Sequence, residues 1–405
     1  MMSRRIAGPG KLREWKHSAP AVSAANRYPT MPEHFDICVI GGGLAGLSAA
    51  AGLAALRRVV LVEREPHWAY HSTGRSAALF AESYGNAAVR ALTRASRDFY
   101  LATDGSRSFT RPRGALFVAG AAQQEHLDAL HAALSAASPR VTLLPQEAAL
   151  ELCPVLRPDA VARALLDPDA RDIDVAAVVD YYSRQFRSHG GRQCRDTTVV
   201  GLEYASGEWQ IRAGDSRIRA TIVVNAAGAW ADEVARAAGV AAAGLEPRRR
   251  TAVRVSAGPW TVAQWPCVIE ASDQWYFRAD AGALLLSPAD ETPSPPCDAQ
   301  PDDYDVALAI ERVEAATRLV IERPLSAWAG LRTFAADRTP VVGFDARMPG
   351  FFWLAGQGGY GIQTAPALAQ LAVAQITESE TPPLLAAAGV DAAALSPARF
   401  ASQPG

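Results

Sequence analysis

Residues 35–65 read FDICVIGGGLAGLSAAAGLAALRRVVLVERE: an apolar run, a cluster of glycines, an alanine-rich stretch and a second apolar run closing on Glu63. Unbroken apolar runs suit strands buried on both faces, and the small residues between them suit a helix packed close on the sheet, so the segment predicts a βαβ unit. Residues 71–85 (HSTGRSAALFAESYG) read as a loop entering a helix, and helical periodicity returns at 122–136. Over 198–224 the pattern turns to three short strands with turns at Ala205-Ser206-Gly207 and Ala213-Gly214-Asp215, ending in IVVNAAGAW. Residues 250–287 alternate in strand fashion, an acidic proline-rich loop (DETPSPPCDAQPDD) follows, and 306–317 predicts a helix. The last third ends in GFFWLAGQGGYGIQTAPALAQLAVAQI, a strand, a glycine turn and a helix. Such signals at both ends of a β-rich middle predict an α/β chain. A doubly wound, Rossmann-like nucleotide domain is assembled from 31–85, 145–240 and 326–390, and an inserted α+β substrate domain with a mixed sheet takes 86–144 and 241–325.

Composition narrows the chemistry. The 405 residues carry 40 basic against 42 acidic side chains, a near balance that offers no field to draw a polyanion, so nucleic acid is not an expected partner. The most apolar stretch, 44–62, is interrupted by Arg57 and Arg58, well short of the ~20 residues a membrane span needs. Lys11 and Lys16 are the only lysines, so from Met31 onward pyridoxal Schiff-base chemistry and a phosphate-binding P-loop are excluded. Five scattered cysteines without a CxxC pair suit reduced thiols and a cytoplasmic setting, and the histidine spacing predicts no metal site. Residues 1–30, with six cations against one acid and no periodic apolar run, read as a disordered or non-native extension, and Met31 is a candidate start.

Gly41, Gly43 and Gly46 form GxGxxG between a strand and a helix. That spacing allows a tight turn, brings backbone amides to a pyrophosphate and lets the helix close on the sheet. Glu63, ending the second strand, is placed for ribose hydroxyls and argues against NADP, leaving NAD and FAD open. The second glycine loop, Gln357 to Gly361, aims another helix N-terminus at a ligand; such a dipole stabilises the negative charge of a reduced flavin.

The blocks VIGGGLAGLSAA, HSTGRSAA, VVNAAGAW, WAGLRTF and GQGGYGIQT, in this order, resemble the D-amino acid oxidase superfamily of FAD-dependent oxidoreductases over about residues 35–400. Within it the chain is most similar to the bacterial D-arginine and D-amino acid dehydrogenases. The resemblance implies FAD, hydride transfer from the α-carbon of an amino acid to flavin N5, and an imino acid that hydrolyses to a 2-oxo acid and ammonia. It places Leu44, Ala45, Arg64, Ser72, Thr73, Arg75, Ser76, Ala77, Ala226, Gly228, Gly358, Tyr360, Gly361 and Ile362 around the cofactor, together with the residues already named. It assigns Arg332 to the substrate carboxylate, with Tyr276 and Arg250 beside it and Tyr84 on a lid; the Gly359 carbonyl and the Gln363 side chain fall near the amine and flavin. Arginine suits the carboxylate because its planar fork makes two charge-assisted bonds. Arginine-using relatives have a glutamate in the side-chain pocket where this chain has Arg113, and a histidine near the amine where it has Leu79. D-Arginine is therefore a doubtful substrate, and Arg113 either faces solvent or receives an acidic or polar side chain. The reading is an FAD-dependent D-amino acid dehydrogenase, cytoplasmic or peripheral at the inner membrane face, passing electrons to an unidentified acceptor. The alternatives are a glycine/sarcosine-type oxidase on the same fold and a flavin-binding subunit of a larger complex. Related oxidases use a lysine near N5 that this body lacks.

No cysteine follows Cys297, so the C-terminal flavin loop cannot form a thioether. Acid precipitation should therefore leave FAD in the supernatant; a yellow pellet would show a covalent link.

Overall fold

The computed structural model describes residues 33–135 and 140–400; the extension expected over 1–30 lies outside them. The strand Glu33–Ile40 lies between Val59–Val62 and Ser216–Asn225, parallel to both, and Arg192–Cys194 extends the sheet beyond Val59–Val62. The far edge of Ser216–Asn225 is shared: its first half pairs with the meander strand Glu208–Ala213, and its second half runs parallel to Phe351–Ala355. Val59–Val62, Phe351–Ala355 and the C-terminal ends of Glu33–Ile40 and Ser216–Asn225 are buried on both faces, as their apolar runs demand, whereas Glu208–Ala213 alternates buried and exposed positions. The helices Leu44–Ala54, Val175–Ser188 and Gly361–Ile376 cover one face and share its core.

Pro366 inside the helix Gly361–Ile376 cannot donate to the carbonyl of Ile362. That carbonyl instead accepts from the buried hydroxyl of Tyr100, and the next amide, Ala367, donates to Ser96 Oγ at 3.2 Å. Both partners come from residues 96–100, which ties this segment to the nucleotide side of the molecule.

The second large sheet has ten strands among the described residues and is mixed: Cys267–Glu270 and Ala115–Ala119 run parallel, while the other neighbours are antiparallel. Its order places Pro324–Phe334 beside Glu246–Val255, followed by Ala283–Ser287, Tyr276–Asp280 and Cys267–Glu270. The helix Asp303–Ala316 begins earlier than its apolar pattern predicts, because the Asp302 side chain caps it by accepting from Tyr304 N at 3.0 Å.

The sheets divide the chain at other points than the sequence boundaries. Arg163–Asp167 and Thr142–Pro145 pair into the mixed sheet, so the part expected as 145–240 joins the nucleotide layer only from about Val175. The strand Pro324–Phe334 likewise belongs to the mixed sheet, whereas the helix Ala87–Ala95 packs on Gly361–Ile376. Alternation cannot say which sheet a strand will join, and here long-range pairing decides it. Thr333 pairs with Gly358 and Phe334 with Gln357, so the substrate-side sheet ends on the second glycine loop. Among the described residues no helix is long and apolar enough to cross a membrane.

Candidate active site

One cavity of about 540 Å³ runs between the two sheets, and its far end is the first βαβ unit. Gly41 has φ +108°, and a Cβ there would stand 2.4 Å from the Ala226 carbonyl oxygen, so the turn admits only glycine. Gly43, Leu44 and Ala45 line the cavity where the helix begins, and Leu44 N donates to Thr73 Oγ1 at 3.1 Å. Gly46 lies beneath the turn against the Gly41 carbonyl and acts in packing rather than at the wall. The buried Glu63 carboxylate accepts from Gly42 N at 2.5 Å and from Glu65 N at 2.9 Å while facing the cavity with Arg64, Ala226 and Gly228. Trp230 was not among the sequence candidates although it ends one of the motif blocks. It lines this end, with the Arg64 guanidinium 4.8 Å from its ring and His71 at 4.7 Å.

Residues 72–77 strap the middle of the cavity to the mixed sheet. Ser72 Oγ donates to the Leu331 carbonyl at 2.6 Å, and Trp328 Nε1 donates to the Arg75 carbonyl at 3.1 Å. Arg75 reaches the carbonyls of Ala299 and Ala329 and pairs with Asp298. Ser72, Thr73, Arg75, Ser76 and Ala77 all line the wall, as do Gly358, Gly359, Gly361 and Ile362 opposite. Gln363 lines it too, but its amide is committed to the fold, accepting from Ala81 N at 3.2 Å and donating to Thr93 Oγ1 at 3.0 Å. Tyr360 packs edge-on against Tyr84 at 5.0 Å and stands behind the wall.

Arg332, Arg250, Tyr276 and Tyr84 meet at the other end. Arg332 Nη2 donates to Tyr84 Oη at 2.9 Å, while its buried Nη1 makes no hydrogen bond among the described residues and lies 3.5 Å from Glu291 Oε1. Burial opposes the charge on Arg332, yet the hydroxyls of Tyr84, Tyr276 and Tyr360 outweigh it and hold its pKa above the ordinary value. Arg250 is fixed by the Asp290 carbonyl at 2.8 Å and by Glu291 at 3.3 Å. Burial works against the Glu291 carboxylate, but Arg338, Arg332 and Arg250 together keep its pKa below the usual carboxylate range. Desolvation raises the Tyr276 hydroxyl, which stays protonated and able to donate. Asp273 was missed because nothing in its turn sequence marks it. Its side chain lines the same end and makes no hydrogen bond or ion pair among the described residues, and burial raises its pKa against Arg250 and Arg332; the side chain also opens to solvent, which screens that shift.

Leu79 faces the cavity, but Arg113 does not. The expectation that Arg113 turns to solvent or receives a substrate group is corrected: Nε and Nη2 bind Asp172, and Nη1 donates to the carbonyls of Ala263 and Trp265. Asp172 comes into reach because it pairs with Leu79 and Arg111 in a small sheet, a register invisible in the sequence. Arg278, another residue sequence reasoning passed over, lines the cavity where Arg113 does not; its place two residues after Tyr276 on one strand was the available signal.

Residues 36–375 match the DAO family of FAD dependent oxidoreductases, and the chain belongs to it. FAD-dependent oxidoreductase domain-containing protein 1 of Bos taurus is 26% identical, covering 86% of this chain and 82% of its own length. Glycine oxidase from Geobacillus kaustophilus superposes with a TM-score of 0.79 at 19% identity, covering 92% of this chain and 100% of its own. L-Proline dehydrogenase from P. horikoshii superposes with a TM-score of 0.76 at 22% identity, covering 92% and 99%. The cavity fits FAD on its own terms. Two helix N-termini open on it, Glu63 lines one end, and Gln357 Nε2 and Arg332 Nη1 are buried donors without a hydrogen-bond acceptor among the described residues.

A Cβ on Gly359 would stand 1.6 Å from Arg332 Nη2, so this glycine sets where the guanidinium can lie. Gly359→Ala should keep its flavin spectrum yet lose affinity for carboxylate ligands by about ten- to hundredfold, the worth of one charged hydrogen bond. Unchanged affinity in ligand titrations would show that Arg332 moves aside without consequence.

Proposed function

We propose that this FAD-dependent oxidoreductase is an amino acid dehydrogenase that oxidises the Cα–N bond of a D-amino acid to the imino acid, which water converts to a 2-oxo acid and ammonia. The observation that carries the reading is Arg332: a buried guanidinium with one donor on Tyr84 and another without a hydrogen bond, facing a cavity that also holds Arg250 and Tyr276. A carboxylate fills that vacant donor position, and a buried donor left unmade is costly, which favours an acid over a neutral ligand.

Bound FAD supplies the two-electron acceptor. The protein's part is then largely positioning: Arg332 and Tyr276 hold the carboxylate, so the α-hydrogen is presented in one orientation rather than many. Glu291 fixes Arg250 and Arg338 and offsets the repulsion between the guanidinia gathered around it. Leu79, Ile269 and Leu331 supply apolar wall that excludes water. The amine must be neutral to release a hydride equivalent, and the unpartnered Asp273 carboxylate at the cavity mouth is a place for its proton to go.

The D configuration rests on the motif blocks, and the choice of dehydrogenase over oxidase rests on the absence of lysine after Met31. The resemblance to D-arginine dehydrogenases does not extend to their substrate, because a guanidinium at Arg278 and an apolar Leu79 face the cavity. Anaerobic mixing with paired D- and L-amino acids tests the reading. D-isomers should bleach the flavin while L-isomers leave it yellow, and turnover in air should yield little peroxide. Bleaching by L-isomers would reverse the stereochemistry, stoichiometric peroxide would make the protein an oxidase, and no bleaching by any amino acid would favour a flavin-binding subunit. Arg332→Lys should slow bleaching at low substrate about ten- to hundredfold, since a point charge does not replace the fork; wild-type rates would remove Arg332 from the clamp.

A further inference from the structure

Tyr276 and Arg278 lie two residues apart on the strand Tyr276–Asp280, so both side chains leave the same face of the sheet, and both line the cavity. The neighbouring strand agrees: Ile269 pairs with Tyr276 and Val268 with Phe277, which sets Cys267 beside Arg278, and Ile269 and Cys267 also face the cavity. Along this wall the backbone of Arg278 lies one strand repeat, roughly 7 Å, beyond that of the tyrosine of the carboxylate clamp.

The Arg278 guanidinium is incompletely neutralised. The residue is 9% exposed, its Nη1 donates to Asp172 Oδ1 at 3.1 Å and to the Ala279 carbonyl at 3.4 Å, and its buried Nε has no hydrogen-bond partner among the described residues. Nη2 comes no nearer to a carboxylate than the 4.0 Å to Asp280. Asp172 cannot balance it alone, because the same carboxylate holds Arg113, also buried, and approaches the exposed Arg111 at 3.4 Å. Two buried guanidinia thus share one carboxylate. Cys267 adds no negative charge, since burial pushes its thiol up to about 12. A buried cation with free donors and a surplus of local positive charge is costly unless an anion enters.

We infer that Arg278 receives a second acidic group on the substrate, so that the preferred substrates are short dicarboxylic D-amino acids with their α-carboxylate on Arg332 and their side-chain carboxylate on Arg278. This rests on the amino acid dehydrogenase reading above and adds the class of side chain. Cationic side chains meet a like charge at the same point and are excluded.

The test is anaerobic flavin reduction of the holoenzyme by acid and amide pairs, D-glutamate with D-glutamine and D-aspartate with D-asparagine, with D-methionine and D-arginine alongside. Each acid should reduce the flavin about ten- to hundredfold faster than its amide in the second-order rate constant, and D-arginine should be slowest. Arg278→Met should bring the acid-to-amide ratio close to one, and Arg278→Lys should keep part of it. Flavin spectrum and melting temperature report whether each variant is folded. If the amides or D-methionine match the acids in the unmodified protein, the inference falls while the dehydrogenase reading stands. A ratio unchanged in folded Arg278→Met overturns it in the same way. Should no amino acid reduce the flavin, both fall together. If Arg278→Met does not retain flavin, the ratio in the unmodified protein decides.

Discussion

The pairing of Thr333 with Gly358 and of Phe334 with Gln357 joins the mixed sheet to the second glycine loop, and the organisation of the cavity follows from that join. It brings a strand built on one core against a loop built on another and leaves Arg332 at the seam. The seam tolerates a guanidinium only because Gly359 has no side chain and because Tyr84 and Glu291 approach from outside the sheet. Residues 72–77 reinforce it from the opposite side through Ser72 and Arg75, so the cavity wall is held by hydrogen bonds that cross between the two halves of the molecule.

The electrostatics follow from an all-arginine body. Three guanidinia at the cavity are steered by a carboxylate shared with other arginines: Arg250 and Arg332 by Glu291, which also holds Arg338, and Arg278 by Asp172, which also holds Arg113 and lies near Arg111. Sharing fixes the forks in place while leaving more guanidinia than carboxylates in each group. Lysine would lose this geometry, because a single ammonium cannot face a carboxylate on one side and a ligand on the other in a fixed plane.

What the sequence made legible is what short-range pattern controls. The βαβ unit, the turn at Gly41, the placement of Glu63 and the loop at Gly359 each follow from residues close together in the chain, and the structure puts all of them at one cavity. Arg332, Arg250, Tyr276 and Tyr84 come together there as well, although they lie far apart in sequence and were assigned only through family resemblance. Where pairing across the fold decides, the reading failed: Arg113 is captured by Asp172 through a small sheet that no periodicity announces, and Arg163–Asp167 joins the mixed sheet rather than the nucleotide layer. Arg278 and Trp230 escaped notice because an arginine in a strand and a tryptophan after a turn are ordinary until their neighbours are known.

The central claim is that Arg332 and its tyrosines form a carboxylate site facing the bound cofactor. Titrating the oxidised holoenzyme with propionate and with propionamide, followed by the visible flavin spectrum, tests it most directly. The account predicts a saturable spectral change with propionate that is absent with the amide and is lost in Arg332→Ala. Equal responses to acid and amide, or an undiminished propionate response in Arg332→Ala with flavin retained, would contradict it.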